Sequence, residues 1–444
     1  MNARCVRSWT RREYSQPLSV VVGVWGERFT FQLHRRVYNG RSFLHVELIT
    51  MSLPLPGPKL NAASTFDTLI IGAGSMGTAA GYFLSKAGQK VLLLDAHDPP
   101  HESGAHHGGT RLIRHAYGEG AAYVPLALRA QQLWLDLERE ADATVFARTG
   151  VVNIGLRDGV FMQEVRRSVE QYGLTAEFMD ATQASRRWPA WRLPADCAVG
   201  FESQAGVLYC ESAVRSYRRL ATSLGATVST DTPVSRIEAL GERGVCVETQ
   251  RGDQFFARDL IVCAGKATQR LLAPFGVQLP VTRVRKTFAW FDGAKERFGQ
   301  GPLTGFAVES AFGLYYGFPD LDGSGLKVGR HDGGQPVSED AVLAPFGAEP
   351  GDLPELEHFL RQYLPDAGAL RNGKVCEYDV STDEHFIIDR LPSCPQIQVA
   401  TGFSGHGFKF ASAIGQALAQ RIVSGESEMD LALFRLARFG GRAV

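Results

Sequence analysis

The sequence predicts an α/β protein with two lobes, one built on a largely parallel sheet and the other on a mixed or antiparallel sheet. Three observations support this prediction. Residues 67–95 read as strand, glycine-rich turn, helix and strand; residues 287–333 contain strand patterns in close succession; and residues 397–423 give a strand, a second glycine-rich turn and a long helix. A chain of 444 residues with 44% hydrophobic residues is long enough to form more than one lobe.

The segment 67–95 has the pattern of a nucleotide-binding βαβ unit of the Rossmann type. Its fingerprint consists of Gly72, Gly74 and Gly77, with Ser75 and Met76 in the turn between them. Gly72 permits the tight turn, Gly74 lets the backbone approach a pyrophosphate, and Gly77 lets the helix lie close to the strands. The helix N-terminus faces the phosphate charge, and Asp95, at the end of the second strand, is expected to accept hydrogen bonds from ribose hydroxyls. The pattern therefore predicts a bound dinucleotide without identifying it.

The elements that follow are expected in a regular order. A polar, glycine-rich connection over residues 98–120 is too long for an ordinary loop, so we expect it near the bound ligand. The hydrophobic spacing then predicts a helix over 123–141, a strand over 146–154, helical structure over 160–187 with a break at Gly173, a helix over 213–224, short strands over 227–250, a buried strand over 259–265 and a helix over 353–363.

The predicted domains are discontinuous. We expect a poorly ordered N-terminal extension over 1–65, a nucleotide-binding domain formed by 66–145, 207–285 and 376–440, and a substrate domain formed by 146–206 and 286–375.

Residues 1–65 differ in composition from the rest of the chain. Positions 1–50 contain eight Arg and no Lys against three Glu, and the apolar run 18–25 is not followed by a small-residue cleavage pattern. We expect a dispensable or misassigned upstream extension, with Met51 opening a flexible start. Import into an organelle remains an open alternative.

Charge and cysteine usage exclude several classes of partner. Lys plus Arg and Asp plus Glu both number 47, so no global field favours nucleic acid or an anionic membrane. The seven cysteines are odd in number and scattered, which is typical of reduced thiols in the cytoplasm. No apolar stretch is long enough to span a bilayer. His106 and His107 are adjacent, so their side chains point apart, and no third ligand has suitable spacing; we expect no metal.

The second glycine-rich turn, around Gly405, His406 and Gly407, also opens a helix. Unpaired N–H groups and positive dipole charge lie at such a position. In a flavoprotein this arrangement can hold the pyrimidine edge of the flavin and stabilise negative charge on the reduced ring, whereas a nicotinamide enzyme does not need it. The alternative is that these glycines only permit close packing.

Longer blocks of sequence resemble a known family. The blocks HHGGTRLIRHAYGEGAAYVPLALRAQ, CEYDVSTDEHFIID and GFSGHGFKFAS, with YYGFP and GLKVGRH, are similar to the monomeric sarcosine oxidase and N-methyltryptophan oxidase family of covalent flavoproteins. The resemblance extends from about residue 66 to the C-terminus. It implies a fold like that of D-amino-acid oxidase, with a Rossmann-like FAD-binding domain and an α+β substrate domain.

The resemblance implies that Cys376 carries FAD through an 8α-S-cysteinyl thioether. A thiolate can add to the electrophilic 8-methyl position, so a cysteine beside the dimethylbenzene edge suffices. Without the family, Cys376 would be interpreted as an inert buried thiol. The other cofactor-binding residues expected from the two turns and the resemblance are Gly72, Gly74, Ser75, Met76, Gly77, Asp95, His106, His107, Thr110, Arg111, Val234, Gly405, His406, Gly407 and Lys409.

The resemblance also places the substrate carboxylate against Arg114, with Lys409 as a second cation. A guanidinium suits this task because its planar fork matches a carboxylate. Lys327 matches the lysine that promotes the reaction with oxygen, and His331, four residues later, is expected on the same strand face. The catalytic residues implied are Lys327, His331, Arg111, Tyr316 and Tyr378. Taken alone, such arginines, lysines and tyrosines are more typical of solvated faces and of core packing.

The implied activity is oxidation of a secondary, N-methyl amino acid. The imine formed would hydrolyse to formaldehyde and the demethylated amino acid, and oxygen would be reduced to hydrogen peroxide by a monomeric enzyme. The alternatives are an FAD-dependent dehydrogenase that passes electrons to a quinone or carrier protein, a nicotinamide-dependent dehydrogenase, and a flavin-binding protein without turnover. The chain departs from the family pattern at Lys266 and Ala267, where a tryptophan is expected, and Ala307 could enlarge the substrate pocket.

Overall fold

A computed structural model describes residues 18–24, 27–38, 41–50, 64–338 and 341–442. The chain divides into two compact units, residues 1–63 and residues 64–444. The first unit contains an antiparallel sheet of the order β1-β2-β3, formed by β1 (Leu18–Val24), β2 (Glu27–Tyr38) and β3 (Arg41–Thr50). Where the predicted extension is described, it therefore forms strands; the prediction of disorder for its other residues lies outside the described ranges.

The second unit contains the elements that build the site. Its strands are β4 (Thr65–Ile71), β5 (Val91–Leu94), β6 (Thr110–Ile113), β7 (Phe146–Ala147), β8 (Val151–Leu156), β9 (Glu177–Asp180), β10 (Cys197–Glu202), β11 (Gly206–Tyr209), β12 (Thr227–Ser229), β13 (Val234–Ala239), β14 (Val245–Thr249), β15 (Gln254–Val262), β16 (Val281–Phe291), β17 (Gly305–Ser310), β18 (Gly313–Phe318), β19 (Leu326–Arg330), β20 (Gln335–Val337), β21 (Leu370–Ser381), β22 (Ile387–Leu391) and β23 (Cys394–Thr401). Its α-helices are α1 (Ser75–Lys86), α2 (Val124–Ala141), α3 (Val160–Tyr172), α4 (Ala181–Arg187), α5 (Cys210–Ser223), α6 (Thr268–Leu272), α7 (Lys295–Phe298), α8 (Pro354–Tyr363) and α9 (Ala411–Val423).

The first large sheet has eight strands in the order β12-β5-β4-β15-β14-β13, with β23 also beside β15 and β22 beside β23. The strands β12, β5, β4, β15 and β23 run parallel to one another. Alternate side chains of β4 enter different cores: Ile70 packs with the helices, whereas Leu69 packs on the opposite face. A sheet buried on both faces explains why its strands read as continuous apolar runs.

Helices α1 and α9 follow the two glycine-rich turns and pack directly against each other. A Cβ added at Gly415 would lie 2.5 Å from the Cβ of Ala79, so only glycine permits this approach. The close contact holds both helix N-termini beside the carboxyl ends of β4 and β23, which is where ligands bind in open α/β sheets.

The second large sheet has nine strands in the order β20-β16-β19-β18-β17-β8-β10-β9, with β21 pairing with β16. Its pairs are antiparallel except for β17 with β8. Helix α8 covers one face, where Phe359 stacks on Tyr315 with ring centres 4.5 Å apart. A small sheet of the order β6-β11-β7 completes the unit. The predicted class, a Rossmann-like domain with a second α+β domain on a mixed sheet, is confirmed.

Some element predictions need correction. The strand expected over 146–154 is two strands in different sheets, β7 and β8, because the chain turns at Gly150 with a φ of 67°. Helix α3 ends at the predicted break, with Gly173 in the left-handed conformation, but 177–180 is the edge strand β9. A capping box between Asp180 and Gln183 then begins α4. The predicted boundaries between the nucleotide-binding and substrate domains at 285/286 and 375/376 fall inside strands β16 and β21. The limits of the domains therefore stay a prediction.

Candidate functional site

The first glycine-rich turn leaves open space above one of its residues. A Cβ at Gly72, whose φ is 95°, would lie 2.4 Å from the carbonyl oxygen of Cys263, and one at Gly77 would lie 1.8 Å from the oxygen of Gly72. At Gly74, by contrast, the nearest atom would be His106 Nδ1 at 3.4 Å. Gly72 and Gly77 are therefore required by the protein's own packing, whereas Gly74 leaves room for a ligand to approach the backbone.

Asp95 is buried and stays ionised. Its carboxylate accepts hydrogen bonds from the backbone N–H of Ala73 at 2.7 Å and of His97 at 2.9 Å, and its Oδ1 lies 3.2 Å from His101 Nε2. Burial alone raises the pKa of Asp95, but the hydrogen bonds from His101, His97 and Ala73 outweigh it and hold the pKa below its usual range. An ionised carboxylate with further lone pairs is suited to bind the hydroxyls of a ribose.

A cavity of about 260 Å³ extends from Asp95 past the first turn to the second glycine-rich turn. The predicted cofactor residues that line it are Gly72, Gly74, Ser75, Met76, Asp95, His106, Arg111, Val234, Gly405 and Gly407. Tyr378 lines its far end, and Lys266, one of the departures from the family pattern, lines its wall and pairs with Glu377 at 3.7 Å. An elongated cavity with an acid at one end and a helix N-terminus in the middle fits a dinucleotide.

The second glycine-rich turn shapes the far end of this cavity. Gly405 has a φ of 80°, and a Cβ there would lie 2.1 Å from the Tyr378 ring. The N–H of Ser404 donates to the oxygen of Asp379 at 2.9 Å, which ties the turn to β21. A 3-10 helix, Phe408–Phe410, leads from the turn into α9. The glycine at 405 thus permits close packing and also brings the turn's amides to the cavity.

A smaller cavity of about 60 Å³ adjoins the larger one and shares Arg111, Tyr378, Gly405 and Phe408 with it. Its remaining lining residues are Leu112, Arg114, Glu119, Ala307, Leu314, Tyr315, Tyr316, Phe318, His331, His406 and Lys409. The structure therefore brings the predicted substrate-binding pair Arg114 and Lys409 together with four of the predicted catalytic residues. The fifth predicted catalytic residue, Lys327, does not line this cavity.

Arg114 already holds a carboxylate, that of Glu119, which sequence reasoning missed. Arg114 Nη2 donates to both oxygens of Glu119, at 2.6 and 2.7 Å, and Nη1 donates to the oxygen of Ala116 at 3.2 Å. Burial raises the pKa of Glu119, but Arg114 and Lys409 together lower it to about 2. The signal that could have found this pair is a glutamate five residues after the arginine, within the same connection.

Lys409 belongs to a buried network with Tyr117 and His406. Its Nζ donates to Tyr117 Oη at 3.1 Å and to the oxygen of His406 at 3.2 Å, while Tyr117 Oη lies 2.7 Å from His406 Nδ1. Burial lowers the pKa of Lys409 to about 7, that of His406 to about 3 and that of His331 to about 4. At neutral pH both histidines are therefore uncharged, and Lys409 can lose its proton.

Tyr378 lines both cavities, and Tyr316 lines the smaller one beside it. Burial raises the pKa of Tyr316 to about 12, and burial raises the pKa of Tyr378 well above its usual range. Their rings fit because Gly329 and Gly405 lack side chains: a Cβ at Gly329 would lie 2.6 Å from the Tyr316 ring. Both phenols stay protonated at neutral pH.

Lys327 is buried beside the polar connection, at Gly108 and Thr110. Its Nζ donates to the oxygen of Gly108 at 2.6 Å and to Thr110 Oγ1 at 3.2 Å. Aromatic rings surround it at 4.7 to 5.3 Å, those of Phe288, Phe318 and Trp290. Burial, together with the charge of Arg111, lowers the pKa of Lys327 to about 7. At 2% exposure, Lys327 is not the surface lysine that the strand pattern alone would suggest.

The expectation that Lys327 and His331 share a strand face is wrong. Strand β19 ends at Arg330, so His331 lies beyond the regular alternation. Lys327 lines a third cavity of about 310 Å³, which it shares with Thr110, whereas His331 lines the cavity of about 60 Å³.

Cys376 is a buried free thiol next to this site, although it does not line the dinucleotide cavity. It packs with Phe288 and Tyr378. Burial raises the pKa of Cys376, and the cations of Arg111, Lys327 and Lys286 partly offset that rise. The thiol is therefore the resting form at neutral pH, and the three cations reduce the cost of forming the thiolate, which is the species that attacks an electrophile.

Of the two adjacent histidines, His106 lies beside the first turn, where a Cβ at Gly74 would be 3.4 Å from its Nδ1. His106 Nε2 accepts the backbone N–H of His101 at 3.2 Å, and burial lowers its pKa to about 3. The ring of His107 lies 5.8 Å from that of Phe288, burial lowers its pKa to about 4, and its buried Nδ1 has no partner in the described part of the chain. This buried nitrogen is consistent with a bound cofactor group nearby, although His107 does not itself line the dinucleotide cavity. Among the described residues, no cluster of three or more His, Cys, Asp or Glu has the arrangement of a metal site.

Each part of the larger cavity offers groups that suit one part of a flavin dinucleotide. Asp95 offers an acceptor for a ribose, Gly74 leaves the pyrophosphate room, and Gly405 brings amides to the far end, where Cys376 lies close by. The residues present fit FAD at each part of the cavity. No helix of the described chain is both long and apolar enough to cross a membrane.

A dinucleotide cavity that ends against a buried cationic pocket defines a class of protein, the oxidoreductases that hold a redox dinucleotide beside a small acidic substrate. The sequence model of one family of this class, the FAD dependent oxidoreductases (DAO), matches residues 67–421. The chain belongs to this family, and its cofactor is FAD.

Known proteins agree with this assignment. The chain is 43% identical to monomeric sarcosine oxidase of Bacillus sp. (strain NS-129) over 376 residues, which is 84% of this chain and 97% of that protein. It is 44% identical to N-methyl-L-tryptophan oxidase of Salmonella heidelberg (strain SL476) over 375 residues, 84% of this chain and 99% of that protein. A solved structure of NikD, an unusual amino acid oxidase, has a TM-score of 0.74 at 21% identity and covers 84% of this chain and 97% of its own. The family resemblance noted from the sequence is confirmed.

Proposed function

We propose that the protein is an FAD-dependent oxidase of secondary, N-methyl amino acids. It oxidises the N-methyl amine to an imine, which hydrolyses to formaldehyde and the demethylated amino acid, and oxygen is reduced to hydrogen peroxide. The observation that carries this proposal is the small cavity with two buried cations, Arg114 and Lys409, at the far end of the dinucleotide cavity. The names of the relatives, sarcosine oxidase and N-methyl-L-tryptophan oxidase, support the same substrate class.

The residues of the cavity would hold FAD along its length. Asp95 would bind the adenosine ribose, the turn from Gly72 to Gly77 the pyrophosphate, and the turn from Gly405 to Gly407 the pyrimidine edge. Bound FAD would accept a hydride equivalent from the substrate and would in turn be reoxidised by oxygen. We further propose an 8α-S-cysteinyl bond to Cys376, which the family resemblance implies and whose ionisation is made less costly by the surrounding cations.

The carboxylate of the substrate binds to Arg114 and Lys409. Because Arg114 holds Glu119 at 2.6 and 2.7 Å, the substrate carboxylate exchanges with that of Glu119. The exchange replaces one anion by another, so Arg114 is not left as an unpaired buried charge. Fixing the carboxylate also fixes the distance of the N-methyl group from the shared wall of the two cavities, which favours a reactive geometry.

The amine must lose its proton before it can be oxidised. Arg111, Arg114 and Lys409 disfavour an additional ammonium in the same cavity, whereas His331 and His406 are uncharged at neutral pH. Tyr316 and Tyr378 line the same cavity as protonated phenols and can orient the amine by hydrogen bonds.

Lys327 would promote the reaction with oxygen from the other side. It lines the 310 Å³ cavity, which is separate from the substrate cavity, and its ammonium is surrounded by aromatic rings. A buried cation stabilises negative charge that develops on oxygen during its reduction.

The experiment that tests the proposal is a panel of N-alkyl amino acids in a peroxidase-coupled assay. We expect stoichiometric peroxide and formaldehyde with at least one N-methyl amino acid, together with a yellow cofactor that stays with the protein after acid precipitation. Substrate-dependent reduction of a quinone or dye without peroxide would instead support the dehydrogenase alternative. We propose a monomer, because residues of one chain complete the site; sedimentation equilibrium tests this.

A further inference from the structure

A buried lysine outside the substrate cavity holds the turn that carries His331. Lys286 lies in β16 and is 5% exposed. Its Nζ donates to the backbone oxygens of His331 at 2.6 Å, Asp332 at 2.9 Å and Gly333 at 2.5 Å. An ammonium has three N–H donors, so these three consecutive carbonyls use all of them.

The turn is folded around this side chain. Gly334 has a φ of 88°, and a Cβ there would lie 2.9 Å from Lys286 Cδ and 2.6 Å from the oxygen of Arg285. On its other side the turn is tied by the N–H of His331, which donates to the oxygen of Leu314 at 2.7 Å. Three converging carbonyl dipoles repel one another, so this conformation depends on a cation at their centre.

The conformation of the turn sets the position of the His331 ring. That ring lines the small cavity, with its centre 5.7 Å from that of Tyr378 and 6.3 Å from that of His406. Within the described part of the chain, no hydrogen bond is found for the ring nitrogens of His331. The backbone, rather than a partner of the imidazole, therefore fixes the ring.

Lys286 also connects the turn with the flavin side of the site. In the pairing of β16 with β21, its Cα lies opposite that of Cys376. Its Nζ is 5.1 Å from the centre of the Tyr378 ring. The lysine thus lies between the wall of the cavities and the turn, and touches neither the substrate cavity nor the dinucleotide cavity.

We propose that Lys286 is a positioning residue for the oxidation: its ammonium gathers the carbonyls of residues 331–333 and thereby holds His331 against the bound amine. The kinetic consequence of this inference rests on the proposed function, whereas its structural consequence does not.

The structural consequence is tested by hydrogen–deuterium exchange on the holoenzyme. In Lys286→Met, we expect faster exchange in peptides that cover 331–334 than in the wild type. The matched control is Lys295→Met, since Lys295 is exposed on the short helix α7, and it should leave these peptides unchanged. Unchanged exchange in Lys286→Met would overturn the proposal, whatever the reaction catalysed.

The kinetic consequence is tested by a double-mutant cycle with His331→Ala. We expect Lys286→Met alone to lower kcat/KM by on the order of tenfold to a hundredfold, because a displacement of about 1 Å at a reacting centre has effects of this size. In the His331→Ala background the same change should lower kcat/KM by less than about twofold, since residues that act as a unit are not additive. Losses that multiply in the double variant would show that Lys286 does not act through His331.

Two further variants separate positioning from general stability. Lys286→Arg keeps a cation with several donors and should restore most of the wild-type exchange and kcat/KM, whereas Lys286→Gln keeps two donors without the charge and should not. If Lys286→Met does not yield folded holoenzyme, the same exchange and kinetic measurements are made on Lys286→Gln. If the wild type releases no peroxide from any N-methyl amino acid, the proposed function fails, while the exchange experiment still decides the role of Lys286.

Discussion

Replacing Arg114 by methionine removes the cation that we propose as the main ligand of the substrate carboxylate. In the structure, one nitrogen of this side chain already binds both oxygens of a carboxylate, at 2.6 and 2.7 Å, in a site where the side chain is 4% exposed. A hydrogen bond to a charged group contributes about 1.5–3 kcal/mol. Since about 1.4 kcal/mol corresponds to a factor of ten in affinity, we expect KM to rise roughly 10- to 100-fold for each such bond lost.

The assay separates binding from the chemical step. Steady-state peroxide release gives KM and kcat, and inhibition by acetate, which has a carboxylate and no amine, reports the carboxylate contact alone. Arg114→Met should raise both KM and the inhibition constant of acetate, with a smaller effect on kcat. The control is Arg139→Met, which removes an arginine that is 68% exposed on α2. A normal acetate constant in Arg114→Met, with a loss confined to kcat, would refute the assignment.

Four further predictions concern neighbouring residues. Because the pKa of Lys409 is about 7, half of its charge is present at that pH and the rest is lost as the pH rises further; the inhibition constant of acetate should therefore rise with pH through about 7 in the wild type and stay flat there in Lys409→Met. Glu119→Gln should bind acetate more tightly, since a neutral amide competes less well for the guanidinium; equal or weaker binding would contradict the exchange of carboxylates. Cys376→Ala should release its flavin on acid precipitation, whereas the wild type should retain it. Lys327→Met should slow oxidation of the reduced enzyme by oxygen but spare its anaerobic reduction by substrate, as stopped-flow absorbance can measure; equal losses in both steps would remove Lys327 from the reaction with oxygen.

The glycine-rich turns could be predicted from the sequence because their reasons are local. A side chain at Gly72 would clash with the backbone of Cys263 at the end of the adjoining strand, and one at Gly77 would clash with the oxygen of Gly72. Because the βαβ unit imposes these contacts, its glycines have a fixed spacing that can be recognised in the sequence. The second turn follows the same logic, and the resemblance added which residues surround it. From these two sources, the local glycine pattern and the family resemblance, the fold class and the presence of Arg114, Lys409 and Tyr316 in one cavity could be predicted.

The contacts that determine charge in the pocket could not be predicted in this way. Tyr117 contacts His406 and Lys409, which lie 289 and 292 residues later in the chain, and no spacing in the sequence links them. The separation of Lys327 from His331 depends on where β19 ends, and element boundaries follow from tertiary contacts rather than from local alternation. Lys286 gave no sequence signal, because its partners are backbone carbonyls, which every residue has.

The positive charge of Arg114 in the pocket is compensated by a carboxylate both before and after the substrate binds. Arg114 is buried, and an unpaired guanidinium there would be strongly unfavourable, so Glu119 supplies a carboxylate while the substrate is absent. A neutral amine could enter only beside an intact Arg114 and Glu119 pair and would gain nothing from the cations. An amino acid brings its own carboxylate, which releases Glu119, whose side chain is 23% exposed, from Arg114. The cations then disfavour protonation of the amine. Selectivity for amino acids over simple amines therefore follows from the pairing of Arg114 with a carboxylate. N-Methylalkylamines matched in size to active N-methyl amino acids should have a kcat/KM that is lower by at least the factor lost in Arg114→Met. Comparable kcat/KM values for the two series of compounds would contradict this explanation.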